Sequence, residues 1–260
     1  NADVIRTSKF QWTTDFNIGF NRNRVTELYG GKPELKGLKR LEEGRDMDEW
    51  YLREWAGVDP ANGSPLWYTT DENGKRTTTD SYNKADRVYC GSAAPKFTGG
   101  WMNSFSYKGF TLTANFDFVY GNLLYNQSRE LLDSDGAYAD YNSMKLKSGW
   151  KRWEKEGDIA THPKAINGGN KNSNKSSSRY LEKGNYFSLR NLSLGYSIPE
   201  KLCGKLGLQR VNVSCSADNL FTLTPFSGVS PQLSDSSTDG YAGTIYPLSR
   251  RIVLGLNVSF

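Results

Sequence analysis

Long runs of alternating apolar and polar residues limit the fold of this 260-residue sequence more than any other feature. From residue 10 to residue 21 the apolar side chains, among them Phe10, Trp12 and Phe16, fall at even numbers and most polar ones at odd numbers. Similar alternation recurs over residues 101–120, 186–198, 211–217 and 252–260. Because a period of two is that of a β-strand, each run predicts a strand with one apolar and one polar face.

The composition agrees with an all-β fold. The chain has 12 Phe, 7 Trp, 15 Tyr and 26 Gly, which are residues typical of strands and turns. No apolar run approaches the ~18 residues of a membrane-spanning helix, so a helical membrane bundle is excluded. The formal net charge of +5 is small and scattered, and nucleic acid is therefore not an expected partner.

Two local features refine the strand predictions. The link Lys108-Gly109 ends in glycine and predicts a tight hairpin turn within residues 101–120. The apolar phase changes between Leu189 and Leu192, which a β-bulge near Arg190-Asn191 would explain. A strand whose outer half stands clear of a membrane would explain the change equally well.

Alternation alone does not separate a soluble β-sandwich from a membrane barrel. Long strands, very unequal connections and a final aromatic residue, Phe260, favour an antiparallel transmembrane β-barrel. With Phe260 on the periplasmic side, the short links at 108–109 and 199–208 fall on that side. The long connections at approximately 126–183 and 222–249 then fall outside the cell, as such a barrel requires.

The longest of these connections, 126–183, is predicted to be a polar loop without a core, with at most one helical turn from Tyr141 to Trp153. Upstream, residues 50–58 are predicted to form one strand and residues 66–70 a short one. The number of strands between residues 50 and 95 stays open.

Several motifs stand in order along the chain. They are Gly57-Val58-Asp59-Pro60 with Gly63, Pro95-Lys96-Phe97-Thr98-Gly99-Gly100-Trp101, Tyr107-Lys108-Gly109-Phe110, the segment 180–196 from Tyr180-Leu181-Glu182-Lys183-Gly184-Asn185 to Gly195-Tyr196, Asp218-Asn219-Leu220-Phe221 and the closing strand to Phe260. Together they resemble the last part of SusC/RagA-type TonB-dependent transporters of Bacteroidetes outer membranes.

The resemblance implies a 22-stranded barrel with a plug in the outer membrane of a Gram-negative bacterium. Residues 1–260 would be its carboxyl-terminal portion, because seven to nine strands are too few to enclose a plug. Such a transporter imports oligosaccharides or peptides with a SusD-like surface lipoprotein. Its energy comes from the TonB complex, which contacts an amino-terminal region that these residues do not include. The resemblance implies no enzyme activity and no cofactor.

Aromatic residues of the outer loop are the candidates for solute binding. Trp150 and Trp153, with Tyr138 and Tyr141 upstream, would offer ring faces to a sugar or peptide. The alternative is that these rings cover their own loop or contact the lipoprotein.

The final strand gives a separate set of expectations. Ile252, Leu254, Leu256 and Val258 are predicted to face lipid. Phe260 resembles the terminal aromatic residue that the barrel-assembly machinery recognises. Arg250 and Arg251 would either bind lipopolysaccharide phosphates or simply solvate the start of the strand.

Two other function classes remain as alternatives, a glycoside hydrolase and a soluble carbohydrate-binding β-domain. The sequence has a single histidine, His162, and no Gly-x-Ser-x-Gly motif, so a serine-hydrolase triad is not expected. His162 is predicted to be a solvated loop residue. Any of the 28 acidic residues can be paired to suggest a glycosidase, so that hypothesis is weak.

No metal site is predicted. Cys90, Cys203 and Cys215 lack metal-ligand spacing. The segment Asp133-Ser134-Asp135-Gly136 opens like a calcium loop, but its twelfth position is Met144 and an EF-hand fails. A looser calcium site stays open.

Overall fold

The computed structural model describes residues 1–205, 207–233, 240–243 and 245–260. In chain order the strands are β1 (Ala2–Arg6), β2 (Phe10–Gly19), β3 (Glu34–Lys36), β4 (Lys39–Leu41), β5 (Glu49–Arg53), β6 (Trp55–Val58), β7 (Pro65–Thr70), β8 (Arg76–Thr79), β9 (Arg87–Ser92), β10 (Phe97–Tyr107), β11 (Phe110–Tyr120), β12 (Leu123–Asn126), β13 (Leu181–Lys183), β14 (Tyr186–Ser197), β15 (Arg210–Leu223), β16 (Tyr241–Ala242) and β17 (Arg251–Ser259). The helices are α1 (Gln127–Leu132) and α2 (Glu200–Lys205), with 3-10 turns at Tyr29–Gly31, Tyr82–Lys84 and Ser178–Tyr180.

The main element is a seven-stranded antiparallel sheet in the order β1-β2-β10-β11-β14-β15-β17. Neighbours in space follow one another among these strands along the chain, so this is an up-and-down sheet, and the predicted all-β class is confirmed. The described part of the chain contains no helix long and apolar enough to cross a membrane. The short strand β1 was not predicted from the sequence, because five residues carry too little alternation.

The register places like residues in rows across the sheet, because paired residues point to the same face. One row consists of Trp12, Phe105, Leu112, Leu194, Cys215 and Leu254. A neighbouring row on the opposite face consists of Thr13, Ser104, Thr113, Ser193, Ser216 and Val253. The sheet therefore has an apolar face and a polar face along its whole width.

The apolar face is open rather than packed within the chain. Leu254 is 79% exposed, Ile252 70% and Phe16 55%. These values are unlike those of a sandwich core, in which both apolar faces would be covered. Within the described ranges, no part of the chain packs over these side chains.

Short and long connections fall at opposite rims, as the sequence predicted. At one rim are residues 7–9, 108–109 and the described part of 198–209, and at the other are 20–96, 121–185 and the described parts of 224–250. In the tightest link Lys108 has φ +47° and Gly109 φ +88°, which is the backbone conformation of a tight hairpin turn. A Cβ at Gly109 would lie 2.9 Å from the carbonyl oxygen of Ser197.

The predicted bulge in β14 is present. Against β11, the consecutive residues Asn115 and Phe116 pair with Asn191 and Leu189, so Arg190 is the extra residue in β14. Its insertion brings Leu189 onto the same apolar face as the later residues of the strand. Against β15 the register also shifts here, but with the extra residue in β15, between Asp218 and Phe221.

The long connections fold into a separate layer, and the expectations for residues 50–58 and for residues 126–183 were wrong. Residues 50–58 are two strands, β5 and β6, which join different small sheets. The segment 126–183 has buried residues of its own, and its helix is α1 rather than a turn at 141–153. The predicted loop 222–249 begins after β15 ends at Leu223; residues 234–239 and 244 lie outside the described ranges.

An aromatic cluster supports this layer. Trp50 and Tyr180 are each 0% exposed and Tyr125 is 1% exposed. The rings of Trp50 and Tyr125 lie 5.8 Å apart, and the Trp50 Nε1 donates a hydrogen bond to the carbonyl oxygen of Leu123 at 3.0 Å. The cluster joins the segment before β10 to the segment after β11 and so holds the loops above the sheet.

Candidate functional site

A buried charged network holds the 126–183 segment together. We call it the polar loop core and define it by Arg129, Asp133, Asp135, Arg152, His162, Arg179 and Glu182. Three guanidinium groups face three carboxylates in it, so the charges can balance without bulk water. Burial of such groups is tolerated only when they are paired and hydrogen-bonded.

Asp133 lies at its centre. One carboxylate oxygen, Oδ2, accepts hydrogen bonds from Arg129 Nη2 and His162 Nε2, both at 2.9 Å. The other oxygen, Oδ1, lies 3.3 Å from Arg179 Nη2 and 3.8 Å from Arg152 Nη2. The four partners come from α1 and from three later parts of the loop, which the carboxylate therefore ties together.

These partners stabilise the ionised form of the Asp133 carboxyl group. Burial by itself would raise the pKa of the carboxyl group. The hydrogen bond to His162 and the positive charges of Arg179 and Arg129 outweigh burial, and the pKa lies below its ordinary value. Asp133 therefore stays ionised at neutral pH.

Asp135 likewise joins three other parts of the loop by hydrogen bonds. Its Oδ1 accepts from Arg152 Nη1 at 2.7 Å, and its Oδ2 accepts from Ser173 Oγ at 2.6 Å and from Arg179. Since Asp133 and Asp135 are engaged by guanidinium groups, the calcium alternative loses its carboxylate ligands. No cluster of three or more acidic, histidine or cysteine side chains suited to a metal occurs in the described ranges.

Glu182 joins the polar loop core to the last long connection. Its Oε1 lies 3.0 Å from Arg129 Nη1 and accepts from Ser227 Oγ at 2.6 Å. Its Oε2 accepts the backbone N–H of Ser227 at 2.6 Å. The role of Glu182 could not be predicted from its motif, because its partners lie 45 and 53 residues away in sequence.

His162 is not the solvated residue that the sequence suggested. It is 1% exposed, its ring lies tilted against that of Trp150 at 5.0 Å between centroids, and it hydrogen-bonds Asp133. Its Nδ1 lies 2.8 Å from Thr161 Oγ1. Thr161, His162 and Asp133 therefore follow one another as the hydroxyl, imidazole and carboxylate of a catalytic triad do. The Thr161 hydroxyl, however, already bonds the backbone N–H and carbonyl of Lys151, so it closes a turn.

A pocket of about 300 Å³ opens beside the polar loop core. Tyr138 and Tyr141 line it, 41% and 55% exposed, with their rings 5.4 Å apart. Leu132 and Met144 supply apolar wall and Arg152 supplies a cation held by Asp135. We call this the tyrosine pocket, and it offers ring faces beside a fixed charge.

The two candidate tryptophans lie elsewhere. Trp150 is half-buried, with the Arg129 guanidinium 4.5 Å from its ring. Trp153 is 8% exposed and its Nε1 donates to the carbonyl oxygen of Pro60 at 2.9 Å. Its ring packs on Gly63, where a Cβ would come within 2.5 Å of the indole. The structure thus brings together the two tyrosines but not the tryptophans.

Proteins of similar sequence are named as TonB-dependent receptors. TonB-dependent receptor P39 of Formosa agariphila is 28% identical over 311 residues, covering 100% of this chain and 29% of that protein. TonB-dependent receptor SusC of Bacteroides thetaiotaomicron is 22% identical, covering 100% of this chain and 25% of that protein. No protein-family model matches the sequence.

Solved structures agree with these relatives. The RagAB peptide transporter superposes with a TM-score of 0.84 at 26% identity, covering 99% of this chain and 28% of that chain. In sequence and in fold the chain matches part of the barrel of SusC/RagA-type TonB-dependent transporters. Such barrels lie in the outer membrane of Gram-negative Bacteroidetes. The chain spans 25% to 29% of the length of the curated relatives named here.

The SusC/RagA-type barrel sheet carries the residues predicted to meet lipid. Ile252, Leu254 and Leu256 are exposed on the apolar face, and Val258 on the same face is half-buried. Phe260 follows β17 and is 83% exposed. Contact of these four side chains with lipid and recognition of Phe260 by the assembly machinery stay predictions.

Arg251 lies on the opposite, polar face. Its Nη2 donates to Asp218 Oδ2 at 2.7 Å, and Asn191 Nδ2 donates to the other oxygen of Asp218 at 2.7 Å. The side chain therefore lies on the polar face and pairs with Asp218, and both alternatives for Arg250 and Arg251, phosphate binding and solvation of the start of the strand, stay predictions.

Proposed function

We propose that this chain forms part of the wall and the outer loops of a transporter that imports oligosaccharides or peptides across the outer membrane. The observation that carries the proposal is the two-faced sheet, whose whole length resembles the RagAB peptide transporter. An apolar outside and a hydroxyl-rich inside suit a wall between hydrocarbon and a wet lumen. The relatives' names are those of receptors and transporters rather than of enzymes.

The orientation of the wall follows from its connections. Short links at one rim and long ones at the other are the pattern of outer-membrane barrels, whose long loops lie outside the cell. On this basis residues 126–183 and 222–249 form extracellular loops of the carboxyl-terminal barrel portion. Energy would come from the TonB complex through the amino-terminal region of the whole transporter.

The tyrosine pocket is the part of these loops that we assign to solute contact. Two exposed rings and the cation of Arg152 would hold flat or polar groups of an oligomer, while the polar loop core keeps the pocket in shape. Trp150 and Trp153 would act indirectly, by packing the loop behind it. A SusD-like lipoprotein would cover the loops from outside and deliver the solute.

Uptake by the full transporter in its native host tests this function. The gene would be deleted and restored as wild type, as the double variant Tyr138→Ala/Tyr141→Ala, or as Tyr29→Ala, a fully exposed tyrosine outside the pocket. Labelled peptide and oligosaccharide mixtures would be supplied with and without a protonophore. We expect protonophore-sensitive uptake of one mixture, lowered roughly threefold to tenfold by the double variant.

The control Tyr29→Ala should transport like wild type. Unchanged uptake of both mixtures after deletion would contradict the transport function. Normal uptake by the double variant would contradict only the role of the tyrosine pocket.

A further inference from the structure

Two adjoining hollows lie at the long-connection rim of the seven-stranded sheet. The first is a groove of about 460 Å³ whose walls include Phe97, Phe118, Phe187 and Leu223. The second is a hollow of about 540 Å³ that contains Phe20, Arg22, Lys96 and Gly121 among its lining residues. Neither belongs to the tyrosine pocket or the polar loop core.

The groove opens on the apolar face of the sheet. Phe118 pairs with Phe187, and Phe187 pairs with Leu223, so these side chains share a face across three strands. That face continues into the row that ends at Leu254, which is 79% exposed. The groove is therefore continuous with the membrane-facing surface and is open to hydrocarbon rather than to the lumen.

The second hollow begins where the groove ends. Phe97 lies 6.0 Å from Phe20, measured between ring centroids, and stacks on Tyr120 at 5.0 Å. The backbone N–H of Lys96 donates to the carbonyl oxygen of Tyr120 at 2.9 Å. One molecule with an apolar tail and a polar head can therefore span both hollows.

The second hollow carries two basic side chains in a lining that is otherwise largely apolar. Arg22 and Lys96 are exposed, and within the described ranges neither is in an ion pair. Asp46 also lines the hollow, but its two carboxylate oxygens already accept hydrogen bonds from Ser92 Oγ and from the backbone N–H of Asp48, both at 2.8 Å. Basic groups just beyond an aromatic rim are suited to an anionic head group.

We propose that these hollows bind one phosphate-bearing lipid of the outer leaflet, with an acyl chain in the groove and the phosphate beside Arg22 and Lys96. The continuity of the groove with the hydrocarbon-facing surface selects a membrane lipid over a soluble anion. The two basic side chains select a phosphate over a zwitterionic head group. Since the barrel belongs to the outer membrane and the long loops lie outside the cell, lipid A has the required chemistry.

Native mass spectrometry of the full detergent-purified transporter tests the site. The probes are bisphosphorylated lipid A, the same lipid after enzymatic removal of both phosphates, and inorganic phosphate alone. The variant Arg22→Gln/Lys96→Gln removes the basic pair. Its matched control is Lys9→Gln/Lys108→Gln, which removes two exposed cations from the opposite rim. The variant Thr224→Trp places an indole at the lining of the groove.

We expect wild type and the opposite-rim control to retain one lipid A molecule at equal occupancy. Neutralising Arg22 and Lys96 should weaken its binding roughly tenfold, and dephosphorylated lipid should bind wild type as weakly as lipid A binds that variant. Thr224→Trp should also reduce occupancy. Equal retention by the basic-pair variant and wild type would overturn the proposal, as would equal binding of the dephosphorylated lipid.

Binding of inorganic phosphate with the affinity of lipid A would likewise overturn it, because the groove would then contribute nothing. Circular dichroism of each variant must match that of wild type for its occupancy to count. If Thr224→Trp does not fold, Leu223→Ser, which makes the groove polar without filling it, takes its place. Solute uptake is a separate readout, so loss of the proposed transport function would leave this result intact.

Discussion

The indole Nε1 of Trp12 donates a hydrogen bond to Asn103 Oδ1 at 3.1 Å on the apolar face of the sheet. Asn103 is 5% exposed although the face around it is open, because the neighbouring rings cover it. Next to it, the Nε1 of Trp101 donates to Thr14 Oγ1 at 2.9 Å. Each of the two tryptophans thus satisfies one polar side chain on the apolar face, Trp12 that of Asn103 and Trp101 that of Thr14.

Replacing Trp12 by Phe should keep the ring and remove the donor. The Asn103 amide then loses a partner in an apolar medium, and we expect a loss of about 1 kcal/mol in the free energy of unfolding. Reversible urea unfolding of the refolded full barrel in lipid vesicles measures it. In an Asn103→Ala background the same replacement should cost little, and an equal cost in both backgrounds would contradict the role of this hydrogen bond.

Leu256→Arg and Val253→Arg compare the two faces of the last strand. Leu256 lies on the apolar face and Val253 on the polar face, 69% and 45% exposed. Arginine at Leu256 should cost ~2 to 4 kcal/mol if the position is near mid-bilayer, and arginine at Val253 should cost much less. Folding yield and urea midpoint in vesicles measure both, and equal costs would refute the assignment of faces.

Acid should loosen the outer loop through Asp133. The folded state lowers the pKa of this carboxyl group, so its contribution to stability is complete above the unfolded pKa of ~3.9 and is lost as pH falls through the lower folded pKa. Hydrogen exchange of residues 127–182 should therefore quicken below about pH 4.

Asp133→Asn should quicken that exchange already at pH 7, with a loss of about 3 kcal/mol because three guanidinium groups lose a buried partner. Asp140→Asn, at an exposed position of the same loop, serves as control. Exchange in Asp133→Asn that equals wild type at pH 7 would show that the polar loop core does not hold the loop.

Alanine substitutions at Gly63 and Gly74 distinguish the cost of backbone strain from the cost of steric overlap with Trp153. Gly63 has φ +73° and faces the Trp153 ring, whereas Gly74 has φ +76° with open space around it. Both replacements by alanine share the strain of a left-handed residue, but only Gly63→Ala pushes on the indole. We expect Gly63→Ala to destabilise the loop further and to shift tryptophan fluorescence, and identical effects of the two would contradict the packing of Trp153.

The extent to which sequence predicted structure depends on the range of the interactions. The faces of β11, the hairpin at Lys108-Gly109 and the bulge at Arg190 follow from neighbouring residues, and all three were predicted correctly. The short strand β1 and the break between β5 and β6 were missed, because a few residues carry no clear period.

The polar loop core could not be predicted in the same way. Arg129 and Glu182 are 53 residues apart, and Asp133 and His162 are 29 apart. In sequence these charged residues look like those of a solvated loop, since burial of a charge becomes favourable only after its partners have been brought together. Tyr138 and Tyr141 were found because they are close in sequence, although whether they bind solute stays a prediction.

Spin labels along β17 test most directly whether the two faces of this sheet meet different media. A nitroxide would be placed at each residue from 252 to 259 of the full transporter in lipid vesicles, after replacement of its native cysteines. Collision with oxygen should be greatest at even positions and collision with a water-soluble nickel chelate at odd positions, in opposite phase along the strand. Equal nickel access at Leu254 and Val253, or the absence of any alternation, would contradict the account.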